Sequence, residues 1–181
     1  MSVFRGTNLT EIQYMTKTSL KFRVRTHGIV VDVRQDSKWV NAISVMAVMR
    51  PGSFDVSRVG GLYPPVGNGM IKKSLTLLNF PEGDGGLDSA VVWAKDNGLK
   101  TVEPRSLFAI KTAHPGLHKK IGQGGVVLVE TVGCTLNHTG FPDKRHLCCV
   151  VLGDGVPAVG LFPVNQFNGF GSHDIWFVFS D

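Results

Sequence analysis

LDSAVVWAKDNGLKTVEPRSLFAIKTA, residues 87–113, reads as two short helices separated by a tight connection. Leu87, Ala90, Val91 and Ala94 recur at three- and four-residue intervals, the spacing that puts apolar side chains on one helical face. Asn97-Gly98 is a stop signal, because glycine enters the left-handed conformation that ends many helices without a Cβ clash. Leu99 follows as an apolar plug. Glu103-Pro104 starts the second helix, where proline is tolerated because a first-turn N–H has no intrahelical partner. His114-Pro115 closes it. The pattern predicts helices near 87–97 and 104–112.

On either side of this pair the period changes to two or the runs become continuously apolar, the signatures of strands. Downstream, residues 126–132, 147–152, 159–164 and 175–179 read as strands, the middle two as a hairpin around Gly153-Asp154-Gly155. Upstream, residues 75–80 read as a strand. Leu20, Phe22 and Val24 alternate with Lys21, Arg23 and Arg25, and Thr26-His27-Gly28 reads as a turn into a second strand at 29–33. Residues 39–49 are rich in β-branched side chains and favour a strand. Residues 51–73, with Gly60-Gly61, Pro64-Pro65, Gly67 and Gly69, read as a long loop of the kind that binds partners. Residues 1–18 read as a polar arm ahead of one globular domain, 19–181. The expected fold class is α+β, with strand-rich antiparallel sheets and two short helices.

Composition bounds the function classes. Apolar residues make up 43% and charged residues 18% of the 181, a balance suited to a packed core rather than to disorder. The net charge of +5 mildly favours acidic partners, so nucleic acid stays among the candidate partners beside a protein partner or self-association. Three cysteines, two of them adjacent (Cys148 and Cys149), do not form the even, dispersed set of a disulfide framework. Together with a polar N-terminus, this leads to the expectation of a cytoplasmic or otherwise intracellular protein, or a virion component, with no membrane partner.

The stretch from Ala90 to Ile110, with Trp93, Asn97-Gly98-Leu99-Lys100, Pro104 and Leu107-Phe108 at its centre, resembles the helix–NGLRLPT–helix segment of C-type-lectin-like domains. These include the formylglycine-generating-enzyme-like domains and variable phage or bacterial binding proteins. Thr101-Val102 replaces the family's Pro-Thr, and residues 175–179 stand where the family has its terminal strand. The resemblance spans about 90–181. It implies a lectin-like fold serving as a binding or assembly module, and it supplies no catalytic residue.

Three groups of residues carry chemistry. Cys134, His138, His146 and Cys148 offer four nitrogen and sulfur ligands within fifteen residues, a set that suits tetrahedral zinc. Against this, the three cysteines also read as small core residues and the histidines as loop residues. Cys134 could instead act as a nucleophile, with His114, His138 or His173 as base and Asp32, Asp143 or Asp174 orienting it. Lys21, Arg23 and Arg25 alternate along one strand face and could track phosphates, although solvated sheet faces are commonly basic too. The glycine-rich pieces at 83–86 and 122–125 lack the strand–helix setting of a nucleotide-binding loop. The leading expectation is a non-enzymatic binding or assembly module, such as a viral or phage structural or accessory protein, without a cofactor. The alternatives are a small Cys/His or zinc-dependent hydrolase and a nucleic-acid-binding protein.

Overall fold

A computed structural model describes residues 10–15, 21–44, 48–49, 56–82, 85–122, 124–135, 145–167 and 174–181. In chain order these form β1 (Thr10–Met15), β2 (Lys21–Arg34), α1 (Trp39–Ile43), β3 (Val48–Met49), a 3-10 helix (Val56–Leu62), β4 (Met70–Asn79), α2 (Leu87–Asp96), β5 (Lys100–Thr101), α3 (Pro104–Ala113), α4 (Leu117–Ile121), β6 (Gly125–Val129), β7 (Cys134–Thr135), β8 (Arg145–Gly153), β9 (Ala158–Pro163), a second 3-10 helix (Val164–Phe167) and β10 (Ile175–Ser180).

The ten strands belong to one sheet, in the order β1-β2-β4-β10-β6-β8-β9-β3, with β5 attached to β10 and β7 to β8. The class is α+β. The sheet is mixed, since β10 runs parallel to β6 and β3 parallel to β9, whereas the sequence suggested antiparallel pairing throughout.

Both faces of the sheet are covered, and alternation along each strand divides the core in two. On one face, Leu75, Leu77, Leu128, Cys148, Val150, Trp176 and Val178 pack beneath Leu107, Phe108 and Ile110 of α3 and Leu117 and Ile121 of α4. On the other, Leu78, Val129, Leu147, Cys149, Phe177 and Phe179 meet Leu87, Ala90, Trp93 and Ala94 of α2. A strand apolar on both sides loses its period-two signal. This accounts for the near-continuous apolar runs of β8 and β10.

The helices at 87–96 and 104–113 match the reading of 87–113 closely. Gly98 takes φ +73°, and Glu103 caps α3 by accepting a hydrogen bond from the Arg105 backbone N–H.

The upstream part departs from the sequence reading in three places. Residues 21–34 form a single strand, not a hairpin, and Thr26-His27-Gly28 lies in its middle. The apolar phase does change there, but the chain does not turn. Val24 faces the α2 layer, while Ile29, Val31 and Val33 face the α3 layer. The ten-residue ladder to β4, from Arg25↔Asn79 to Arg34↔Met70, holds the strand extended. Residues 39–43 are a helical turn, not a strand, because Trp39 is drawn into the core and stacks on Tyr63 at 5.0 Å. Finally, much of the supposed loop 51–73 is ordered cover. Val56, Val59 and Tyr63 are buried in the α3-side core, and β4 begins at Met70. In the polar lead-in, Thr10–Met15 pairs antiparallel with β2. Among the described residues, no helix is long and apolar enough to cross a membrane.

Candidate functional site

Beyond the end of β6, the chain turns through Glu130 and Gly133 into β7, which pairs antiparallel with β8 so that Cys134 lies opposite His146. Cys148 shares the His146 face two residues on. The register thus brings three of the four suggested zinc ligands, Cys134, His146 and Cys148, onto neighbouring positions, which spacing alone could not decide; His138, the fourth, lies outside the described residues. Among the described residues, no three His, Cys, Asp or Glu side chains are arranged to hold a metal ion.

Another residue sits at the centre of this region. Glu130 is fully buried. Its Oε1 accepts hydrogen bonds from the Tyr63 hydroxyl at 2.5 Å and the Cys148 backbone N–H at 3.0 Å, and its Oε2 accepts one from the Gly133 backbone N–H at 3.0 Å. Burial drives the Glu130 pKa up to about 7 against the pull of these three donors. The side chain ties the 56–63 cover to the β6–β7 turn and to β8. The signal in the sequence was a lone acid directly after the run Val126-Val127-Leu128-Val129, where a charge needs partners to be buried.

The thiols have the opposite of an activated environment. Burial raises the Cys134 pKa, the nearby Glu130 adds to the rise, and the Tyr63 hydroxyl only partly opposes it. Burial beside Glu130 raises Cys148 well above an ordinary thiol. A nucleophilic thiolate needs a depressed pKa and access, and these cysteines have neither. His114, one of the bases suggested for Cys134, hydrogen-bonds the Val30 carbonyl at 3.0 Å and lines a groove to which Cys134 does not contribute; His173 lies outside the described residues. The expected result with a chromogenic disulfide at neutral pH is labelling of the folded protein about a hundredfold slower than of the urea-unfolded chain, because reaction must await opening. A thiol that reacts at the unfolded rate would contradict this account.

The basic strand is partly neutralised within the fold. Arg23 pairs with Glu82 at 3.4 Å. Glu11 of β1 stands opposite Arg25 in the register, and Met15 opposite Lys21.

Two open grooves lie on the α3 side of the sheet. One, of about 710 Å³, runs between the end of β2, α1 and α3, and is lined by Asp32, Arg34, Asp36, Lys38 and Thr112 among others. Its charges are mixed, and Arg34 is committed to Asp36 at 3.1 Å.

The second groove, of about 590 Å³, lies over the middle of β2 and β4 beneath the α3–α4 connection. Ile29, Leu75 and Leu117 contribute apolar surface, and His27, His114 and Lys120 contribute nitrogen groups. Because the Val30 carbonyl can only accept, His114 carries its proton on Nε2. His27 is 3% exposed, and among the described residues its Nδ1 has no hydrogen-bond partner. Burial lowers the His27 pKa, and repulsion from Lys120 and His114 lowers it further, which keeps the ring neutral at pH 7. Sequence reading missed this residue because it took 26–28 for a turn. The available signal was phase: His27 shares the odd-numbered face of Ile29, Val31 and Val33.

No known protein family, curated protein or solved structure matches the chain.

Proposed function

We propose that this protein is a non-enzymatic binding module whose ligand seat is the groove formed by β2, β4 and the α3–α4 connection. The observation that carries the reading is His27, a neutral imidazole buried in the groove wall with a ring nitrogen, Nδ1, that finds no hydrogen-bond partner among the described residues. A buried polar atom without a partner is costly, and a ligand or water that completes its hydrogen bonding accounts for it. The groove's volume of about 590 Å³ falls in the range of small-molecule sites. It combines an apolar floor with a few convergent polar groups, the usual make-up of such sites.

A binding reading is preferred to a hydrolase because the candidate nucleophiles are inert where they stand. The thiols are buried and protonated, and Glu130 is engaged by three donors.

The test is a small-fragment panel followed by backbone and histidine-ring NMR, with fragment signals integrated over a day. The expected result is saturable shifts at residues 27–30, 74–76 and 113–120 with no fragment consumed. Shifts confined to the Arg34–Lys38 groove would overturn the assignment of the seat, and consumption of a fragment would replace the binding reading with an enzymatic one.

A further inference from the structure

We infer that the groove beneath the α3–α4 connection selects a small organic monocarboxylate with an apolar body. This deepens the binding-module reading and rests on it.

Charge sets the class. Among the described residues, Lys120 is the groove's one fixed cation, and it is exposed on α4. His27 and His114 add ring nitrogens from β2 and from the end of α3. The thiol, carboxylate and indole groups of the buried core lie elsewhere, and the acid facing the groove is Asp181, past the end of β10. Its presence weighs against a dianion such as phosphate, which would meet a single ammonium and a carboxylate together. A cation would meet Lys120. A monoanion can pair with Lys120 and direct its second oxygen at an imidazole, a charge-assisted bond of the stronger kind.

Shape sets the remainder of the ligand. Beside the nitrogen groups lie Ile29, Leu75, Ala113, Pro115 and Leu117, which would cover an apolar body of a few carbons.

Binding of such an anion has a consequence for pH. Lys120 and His114 both disfavour protonation of His27. A carboxylate placed among them offsets that repulsion and favours the imidazolium, so the complex takes up protons. Affinity therefore rises as pH falls toward the histidine range.

The probes are benzoate, benzamide and inorganic phosphate, titrated into the full chain and followed by NMR. Benzoate is expected to move the His27 ring signals and the amides of 113–120 saturably, and to bind about tenfold more tightly than benzamide, the difference of one charge-assisted bond. Lys120→Gln, at an exposed position, is expected to weaken benzoate about tenfold and leave benzamide unchanged. Benzoate affinity should also be higher at pH 6 than at pH 8. If benzamide binds as well as benzoate at the same residues, the groove remains a ligand seat but the carboxylate assignment fails. It fails likewise if phosphate binds more tightly than benzoate, or if Lys120→Gln has no effect. If none of the three probes moves these residues at millimolar concentration, the seat and its ligand class fall together.

Discussion

Arg105→Met is expected to destabilise the protein by roughly 3–5 kcal/mol, as loss of one partner from a buried ion pair does. For a chain of this length that lowers the melting temperature by about 10 °C or more. Arg105 is 3% exposed at the start of α3. Its guanidinium donates to the carbonyls of Ser37 at 3.2 Å, Tyr63 at 2.9 Å and Pro64 at 3.2 Å, and pairs with Glu103 at 3.3 Å. It also lies 5.7 Å from the centre of the Trp39 ring, which stacks in turn on Tyr63. Three chain segments distant in sequence thus meet on one side chain. Methionine fills similar space but leaves three carbonyls without donors and a largely buried carboxylate without its counter-charge. Arg105→Lys should recover only part of the loss, since an ammonium cannot reproduce the planar fork. Urea denaturation of the three proteins checks this. A loss below about 1 kcal/mol for Arg105→Met, the level of an exposed pair, would mean that the cover is held in another way.

The second large effect is the pH dependence carried by Glu130. Its pKa in the folded protein is about 7, against 4.5 when exposed, because burial disfavours the carboxylate. Folding thus favours the protonated acid. This contribution is fully present below about pH 4.5 and is lost progressively as pH rises to about 7, where the folded form also ionises. The change amounts to roughly 3 kcal/mol for a shift of this size. His27 acts in the opposite sense. Its pKa is lowered in the fold, so its contribution is present above the ordinary histidine pKa and is lost as pH falls. Measuring the wild type alone would therefore mix the two. The difference between wild type and Glu130→Gln, followed by urea denaturation from pH 4.5 to pH 8, isolates the carboxyl group. The wild type is expected to lose stability relative to the variant across that range. A pH-independent difference would show that Glu130 does not titrate there. Glutamine also brings its amide N–H against the Gly133 or Cys148 N–H, so at pH 4.5 the variant should be less stable by roughly 1–3 kcal/mol, a deficit that closes or reverses by pH 8.

Arg105 and Glu130 act in sequence along one path. The Tyr63 backbone carbonyl accepts from Arg105 while the Tyr63 hydroxyl donates to Glu130, and Glu130 accepts from β8 and from the turn before β7. The path runs from α3 through the 56–63 cover to the centre of the sheet. Neither residue was singled out by sequence reading, because each looks ordinary in its own window: an arginine in the first turn of a helix and a glutamate after a strand. Only the partners reveal their roles, and those partners lie 42 residues away for Arg105 and Tyr63 and 67 residues away for Tyr63 and Glu130.

Local signals determined the middle of the chain and most of its second half. The helices of 87–113 have their own period, stop and proline start within a few residues, so no distant contact is needed to recognise them. The runs that became β6, β8, β9 and β10 were legible for the same reason, and so was the α+β class. Tertiary structure decided whatever depended on pairing and on which layer lies against which face. The phase change at Thr26–Gly28 is compatible with a turn or with a strand that moves from one covering layer to another, and the ladder to β4 selects the strand. Trp39 is compatible with a strand or a helical turn, and stacking on Tyr63 selects the turn. The cysteines were recognisable as a group, but their inertness comes from burial and a neighbouring carboxyl group, which spacing does not encode. The groove with His27, His114 and Lys120 unites residues from β2, α3 and α4, and its chemistry exists only once the sheet has brought them together.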